Sequence, residues 1–234
     1  MAKRKGKERG WRFYLAALVG LGLLAGAGWY WWDMRSWTPD EGIYPEQGVA
    51  LGQGQSDVSF ATIGAHGAKF VYFAIGPYGA ERDPGLVDAM TAAREAGLKA
   101  GALMTFDACA KADPQSSRFV TMVPRDKDML PAVIALENGS QNCLQPVSDA
   151  AVESELMTLI NQIEMHTGRP VILRLSRAFE ERYRVSGSVS RDLWVVGDRF
   201  QPRYASRPWL IWSANGARHI EGVEEPVEWL VVQP

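Results

Sequence analysis

Hydrophobic and polar positions divide this chain into three parts. From Phe13 to Trp32, twenty residues carry no charge. At about 1.5 Å rise per residue, a helix of that length spans roughly 30 Å, one hydrocarbon core. The segment from Asp33 to Gln47 holds Pro39, Gly42, Pro45 and several charges without apolar periodicity, the pattern of a linker. From Gly48 onward, short apolar runs alternate with helical patterns. The runs are Lys69 to Ile75, Lys99 to Phe106, Pro131 to Glu137 and Pro170 to Leu175, and each reads as a buried strand of a parallel sheet.

The helical stretches between these runs carry their own punctuation. Pro84 to Ala96 has Asp83 as N-cap, Pro84 at the first helical position and Gly97 just past the end. Asp113-Pro114 repeats that start signal before a short helix with Phe119, Val120 and Val123. Ser148 opens a longer helix whose Val152, Leu156, Leu159, Ile160 and Ile163 share one face until Gly168 stops it. After about Asp192 the pattern turns to strand-like pieces: Leu193 to Val196, Trp209 to Trp212 and Val227 to Val232. The expected fold is α/β, a TIM-like βα barrel whose last part is mostly β, preceded by one N-terminal transmembrane helix. The expected boundaries are a leader at 1–12, an anchor at 13–32, a linker at 33–47 and the barrel at 48–234.

Composition sharpens this division. The 234 residues are 47% apolar with only 2 Cys, which excludes a disordered or disulfide-dense chain. The net charge of -2 conceals an asymmetry: the first twelve residues hold six Lys or Arg against Glu8, leaving 19 basic against 26 acidic residues in the rest. A basic flank marks the cytoplasmic side of an anchor, and Trp29, Tyr30, Trp31 and Trp32 suit the opposite interface. The competing reading is a cleaved signal peptide with Ala25-Gly26-Ala27 as its cleavage site. The apolar stretch, however, exceeds the usual core of about 7–15 residues and runs straight into the aromatic cluster. Either way the barrel is exported, to the periplasm or the extracellular space. Its acidic body argues against nucleic acid as a partner.

Side chains at the C-terminal ends of barrel strands line the active site, so the residues after each apolar run are the ones to inspect. They are Gln53, Pro77, Asp107, Glu137, Ser176 and Asn215, of which only Asp107 and Glu137 are carboxylates. Glu137 ends a strongly apolar strand, where burial would raise its pKa and suit it to general acid work. A glutamate hydrogen-bonding a loop fits the same spacing. Cys109 and Cys143 follow adjacent strands, so a disulfide on the rim is geometrically open to them, and export permits it. Neither has a nearby His, which argues against a metal, and no cofactor motif is present: Gly52-Gln53-Gly54-Gln55 lacks the Lys and Ser/Thr of a phosphate loop. Trp194, Trp209 and Trp212 read as core residues, with sugar stacking as the alternative.

Several segments, in order, resemble glycoside hydrolase family 25, the lysozymes that cleave peptidoglycan glycan strands. They are Gly48-Val49, Ser59-Phe60, Gly67 to Tyr72, Asp83-Pro84, Ala96-Gly97-Leu98 with Gly101-Ala102, and Leu130 to Glu137. Thr167 to Pro170, Leu193-Trp194, Ile211-Trp212, Gly222-Val223 and Val227-Glu228 continue the series. The resemblance implies an irregular barrel of about five βα units followed by additional β-strands. It nominates Glu137 as the acid, Tyr72, Trp212 and Glu228 for substrate binding, and Cys at both 109 and 143.

Departures from the family pattern are as informative as the matches. The usual Gly-Ile-Asp-Val-Ser is Gly48-Val49-Ala50-Leu51-Gly52, and the Asp-x-Glu of the fourth strand is Ala135-Leu136-Glu137. Lys-Ala-Thr-Glu-Gly has become Ala74 to Tyr78, Tyr-His has become Leu103-Met104, Trp-Gln-Tyr has become Trp212-Ser213-Ala214, and an expected Asp is Glu228. Two functions follow. One is a membrane-anchored muramidase-like enzyme using Glu137, with Asp107 as a replacement partner. The other is a non-catalytic glycan-binding or scaffolding protein of the cell envelope that retains the barrel groove, with hydrolysis impaired or lost.

Overall fold

The computed structural model describes residues 7–55, 58–76, 79–81 and 83–234. Helix α1 (Lys7–Met34) comes first and stands exposed. Five βα units follow. Strand β1 (Gln47–Leu51) leads to α2 (Phe60–Ala65), β2 (Phe70–Ala74) to α3 (Leu86–Glu95), and β3 (Lys99–Thr105) to α4 (Ala112–Met122). Strand β4 (Val133–Leu136) leads through a short 3-10 turn to α5 (Asp149–Thr167), and β5 (Ile172–Leu175) to α6 (Arg177–Tyr183) and α7 (Val185–Ser188). Strands β6 (Asp192–Val196), β7 (Ile211–Arg218) and β8 (Val227–Val232) complete a closed barrel in chain order. Strands β1 to β7 run parallel, and β8 closes the ring antiparallel to both β7 and β1.

Alternation along each strand sorts the side chains into two apolar layers. Inside the barrel lie Phe70, Tyr72, Leu103, Val133, Ile172, Trp194, Ile211 and Leu230. The opposite faces pack against the helices, where Val152, Leu156, Leu159, Ile160 and Ile163 of α5 are all buried, as their spacing predicts. On α4, Phe119 and Val123 are buried but Val120 faces solvent. The aromatic filling of the interior requires glycine opposite it: a Cβ on Gly101 would stand 2.4 Å from Tyr72, and one on Gly48 would stand 2.5 Å from Phe70.

Helix punctuation holds in part. Ser148 Oγ accepts the Ala151 amide, and Gly168 ends α5 in the left-handed conformation that glycine adopts without strain. Helix α3 starts later than expected, because Asp83 caps the turn before it by accepting the Gly85 amide. Helix α4 starts earlier, its first amide on Ala112 being taken by Glu155 from α5.

Among the described residues, no helix of a βα unit covers β7 and β8; residues 35–46 pack there instead. Tyr44 packs on Trp209 and Trp212 with ring centroids 6.5 and 6.0 Å apart. Gln47 donates to the Pro39 and Tyr44 carbonyls and accepts from Trp229 Nε1. The segment expected as a linker is thus a strap fastened to the barrel, held by hydrogen bonds to residues distant in sequence that no local pattern announces. At the other end of the barrel, Cys109 and Cys143 form a disulfide with a Cα–Cα distance of 5.3 Å, joining the loops after β3 and β4.

Two predictions follow from this scaffold. Replacing both cysteines by Ala should lower unfolding free energy by about 3–4 kcal/mol through loop entropy in the unfolded chain, as read by denaturant titration. Glu164 is desolvated, yet its pKa is lowered from the ordinary 4.5 by hydrogen bonds from Arg191 and the Val171 amide. A carboxylate depressed on folding stabilises above its unfolded pKa, and that contribution fades as pH falls through the folded value. Glu164→Gln should therefore be less stable at pH 7 and lose less stability than the parent on acidification below about 4.5.

Candidate functional site at the barrel mouth

The inward positions at the C-terminal ends of the strands form a small polar patch over the apolar interior. Pairing sets its members. Ala50 on β1 faces Glu228 on β8, Ala135 on β4 lies between Thr105 and Arg174, and Arg174 on β5 lies beside Trp194. Glu137 follows β4 directly.

Arg174 organises this patch. Its Nη1 donates to Glu137 Oε1 at 2.8 Å and its Nη2 to Glu228 Oε1 at 3.0 Å. Its side chain is only 13% exposed, against 43% for Glu137 and 18% for Glu228. Burial pulls the guanidinium pKa down, but the charges and hydrogen bonds of Glu228 and then Glu137 outweigh it and leave it raised. The guanidinium also lies 5.7 Å from the Trp194 ring centroid. Trp194 Nε1 donates to Ser213 Oγ at 2.6 Å, and Ser213 in turn donates to Glu228. Ser176 Oγ donates to the Glu137 carbonyl at 2.8 Å while accepting the Phe179 amide, so the start of α6 fixes the backbone of Glu137.

Two carboxylates on one guanidinium leave the patch with one net negative charge and both acids engaged as acceptors. The apolar burial expected around Glu137 is absent: its side chain is 43% exposed and paired with Arg174. Hydroxyl-rich ligands would meet carboxylate acceptors and a guanidinium edge here, a suitable surface for sugar hydrogen bonds.

Of the residues nominated from sequence, the fold brings Glu137 and Glu228 together. Asp107 is occupied locally: its Oδ1 accepts the Cys109 amide at 2.8 Å in the turn that leads to the disulfide, and its own amide donates to Gln115. Tyr72 and Trp212 do not reach the mouth. Tyr72 is 1% exposed in the barrel interior, where burial pushes its phenol pKa up and its hydroxyl donates to the Pro131 carbonyl at the opposite end. Trp212 is 3% exposed in the outer layer and donates to the Gly197 carbonyl. Trp194 and Trp209 are core residues too. Gln53 donates to the Glu81 carbonyl, Asn215 is buried against the strap, and Pro77 lies outside the described residues.

Sequence reasoning missed Arg174 and Ser213. The signal for Arg174 was present as a single charge at an inward position of an otherwise apolar strand, two residues beyond Ile172.

Comparison with known proteins agrees with the fold. A family model for glycosyl hydrolases family 25 matches residues 49–223. A family 25 glycosyl hydrolase from Bacillus anthracis superposes with a TM-score of 0.73 at 22% identity, covering 86% of this chain and 93% of that one. The lysozyme from Streptomyces coelicolor gives 0.71 at 18% identity, covering 81% and 92%. A family GH25 lysozyme from Aspergillus fumigatus gives 0.66 at 17% identity, covering 81% and 94%. A search of curated proteins found no match. With three quarters of its length inside the family model, this chain belongs to glycosyl hydrolase family 25.

Proposed function

We propose that this protein is a membrane-anchored, extracytoplasmic family 25 protein whose barrel mouth binds peptidoglycan glycan strands and has lost most or all hydrolytic activity. The observation that carries this reading is the clamp of Arg174 on Glu137 and Glu228. Glycoside cleavage needs one group to protonate the leaving oxygen and a second to stabilise or attack the cationic sugar centre. Ala50 and Ala135 stand where the resemblance expects aspartates, and the two remaining acids share one cation. Losing a stabilising group at the transition state costs about 3 kcal/mol or more, a factor of at least roughly 100 in rate. Glycan binding asks less, because it needs only the retained barrel and a polar mouth.

Anchoring is supported by the exposed apolar helix, whose Phe13–Met34 stretch has a mean hydropathy of 1.6, and by the basic residues that precede it. The second reading, an active muramidase with Glu137 as acid, draws on the place of Glu137 directly after β4, where the resemblance expects the acid.

The full chain in detergent, incubated with purified peptidoglycan, distinguishes these readings by sedimentation with the polymer and by new reducing ends. The expected result is co-sedimentation, with reducing ends no higher than those of Glu137→Gln. Reducing ends that disappear in Glu137→Gln establish the enzyme instead, and absence of both signals rejects glycan binding. Independently, Arg174→Met should lower unfolding free energy by about 3 kcal/mol, because it leaves two neighbouring acids without their cation. Glu137→Gln should cost less than about 1 kcal/mol, because its exposed side of the pair is screened by water. Urea titration of both variants checks the order.

A further inference from the structure

The junction between α1 and the barrel is built, and it lies at the mouth end. Asn215, buried near the C-terminal end of β7, donates through Nδ2 to the Met34 carbonyl at 2.5 Å and to the Trp37 carbonyl at 3.0 Å. The His219 amide donates to the Arg35 carbonyl at 2.7 Å. Arg199, in the loop after β6, pairs with Asp33, and its guanidinium lies 5.5 Å from the Tyr30 ring and 5.4 Å from the Trp37 ring. Its backbone holds a left-handed conformation, φ 62°, which a non-glycine residue keeps only where its surroundings enforce it. The strap then descends to the opposite end of the barrel, where the Val232 amide donates to the Glu46 carbonyl. No slack separates the apolar span, which ends at Met34, from the first contacts with the barrel at Asp33 and Met34.

These contacts set a distance. Trp32 closes the aromatic cluster that suits the membrane interface, and it precedes Met34 by two residues, about 3 Å of helix rise. Asn215 lies two residues along β7 from Ser213, about 7 Å of strand, and Ser213 bonds Glu228 directly. With the hydrogen bonds and side chains that join these steps, the Glu228 carboxylate sits within roughly 20 Å of the interface. The far end of the barrel is about 19 Å further away, taking the seven residues of β3 at the usual strand tilt. The Phe13–Met34 span is nowhere buried, so the helix leaves the barrel rather than lying along its wall.

We infer that the barrel is held with its mouth toward the bilayer, and that its ligand is a saccharide presented at the membrane surface on a lipid carrier rather than distant wall polymer. The orientation follows from the junction alone; the ligand class rests on the glycan-binding reading above. A rigid tether excludes polymer beyond its reach, whereas confinement to the same surface raises the effective concentration of a lipid-linked saccharide.

The test uses the full chain reconstituted in phospholipid vesicles. A donor fluorophore is placed at Glu224→Cys beside the mouth or at Lys99→Cys at the far end, with an acceptor on the lipid headgroups. Energy transfer should be at least about twofold greater from position 224, given the ~19 Å between the two ends. Twenty Gly/Ser residues inserted between Trp32 and Asp33 should abolish that difference while leaving the strap in place. Equal transfer from both positions of the parent chain, or a reversed order, overturns the orientation. Binding is then compared between vesicles carrying a lipid-linked peptidoglycan disaccharide and the same disaccharide free in solution. Tighter binding to the vesicles by about tenfold supports the ligand class. Equal affinity for the two overturns it, as does binding of wall polymer alone. Failure to bind any of the three glycans defeats the glycan reading itself, while the transfer measurement still decides the orientation.

Discussion

The mouth of this barrel depends on one cation. Arg174 projects from β5 into an interior otherwise filled by aliphatic and aromatic side chains, where an unpaired charge would be prohibitive. Its acceptable neighbours are the acids at the ends of β4 and β8, and it holds both. The consequences spread from there. Glu228 is fixed from two sides, by Arg174 and by Ser213, and Ser213 is in turn oriented by Trp194. Glu137 is fixed by Arg174 at its carboxylate and by Ser176 at its backbone. A glycosidase needs acids poised to give a proton or to meet a cation. Here the cation is already present and belongs to the protein.

Where the resemblance expects aspartates, Ala50 and Ala135 stand beside this arrangement. Four acids around a small mouth repel one another, and a guanidinium would compete with a substrate for each of them. Two acids and one guanidinium carry one net negative charge and can be packed. The alanines flank the patch by register, Ala50 opposite Glu228 and Ala135 opposite Arg174, so the small side chains leave room for the arginine fork. The mouth is thereby a small, internally paired polar surface.

The sequence displayed the scaffold more openly than the site. Buried parallel strands are continuous apolar runs, so β2 to β6 were legible within a few residues, and Ser148 and Gly168 marked α5 because capping is local chemistry. Helix α4 was harder, since the carboxylate that satisfies its first amide comes from Glu155, more than forty residues away. The strap was illegible for the same reason: Asn215 and Arg199 hold it by contacts between residues distant in sequence. Tyr72 and Trp212 were nominated by resemblance as ligand contacts, yet strand parity and depth bury both. Arg174 was visible as a charge in an apolar strand. Its meaning required knowing that β8 closes the barrel antiparallel and carries Glu228 to the same level.

That closure also explains why α1 meets the mouth. Strand β7 has eight residues and turns back into the antiparallel β8, and its pairing with β8 shifts register between Ser213 and Asn215 and again between Asn215 and Arg218. Such irregularities bend a strand and turn side chains away from the ladder. Asn215 is the side chain so released, and both of its amide hydrogens are spent on carbonyls of the helix end and strap. The device that completes the barrel therefore supplies the attachment point for α1, and the attachment point stands one short strand segment from the acid that Arg174 holds.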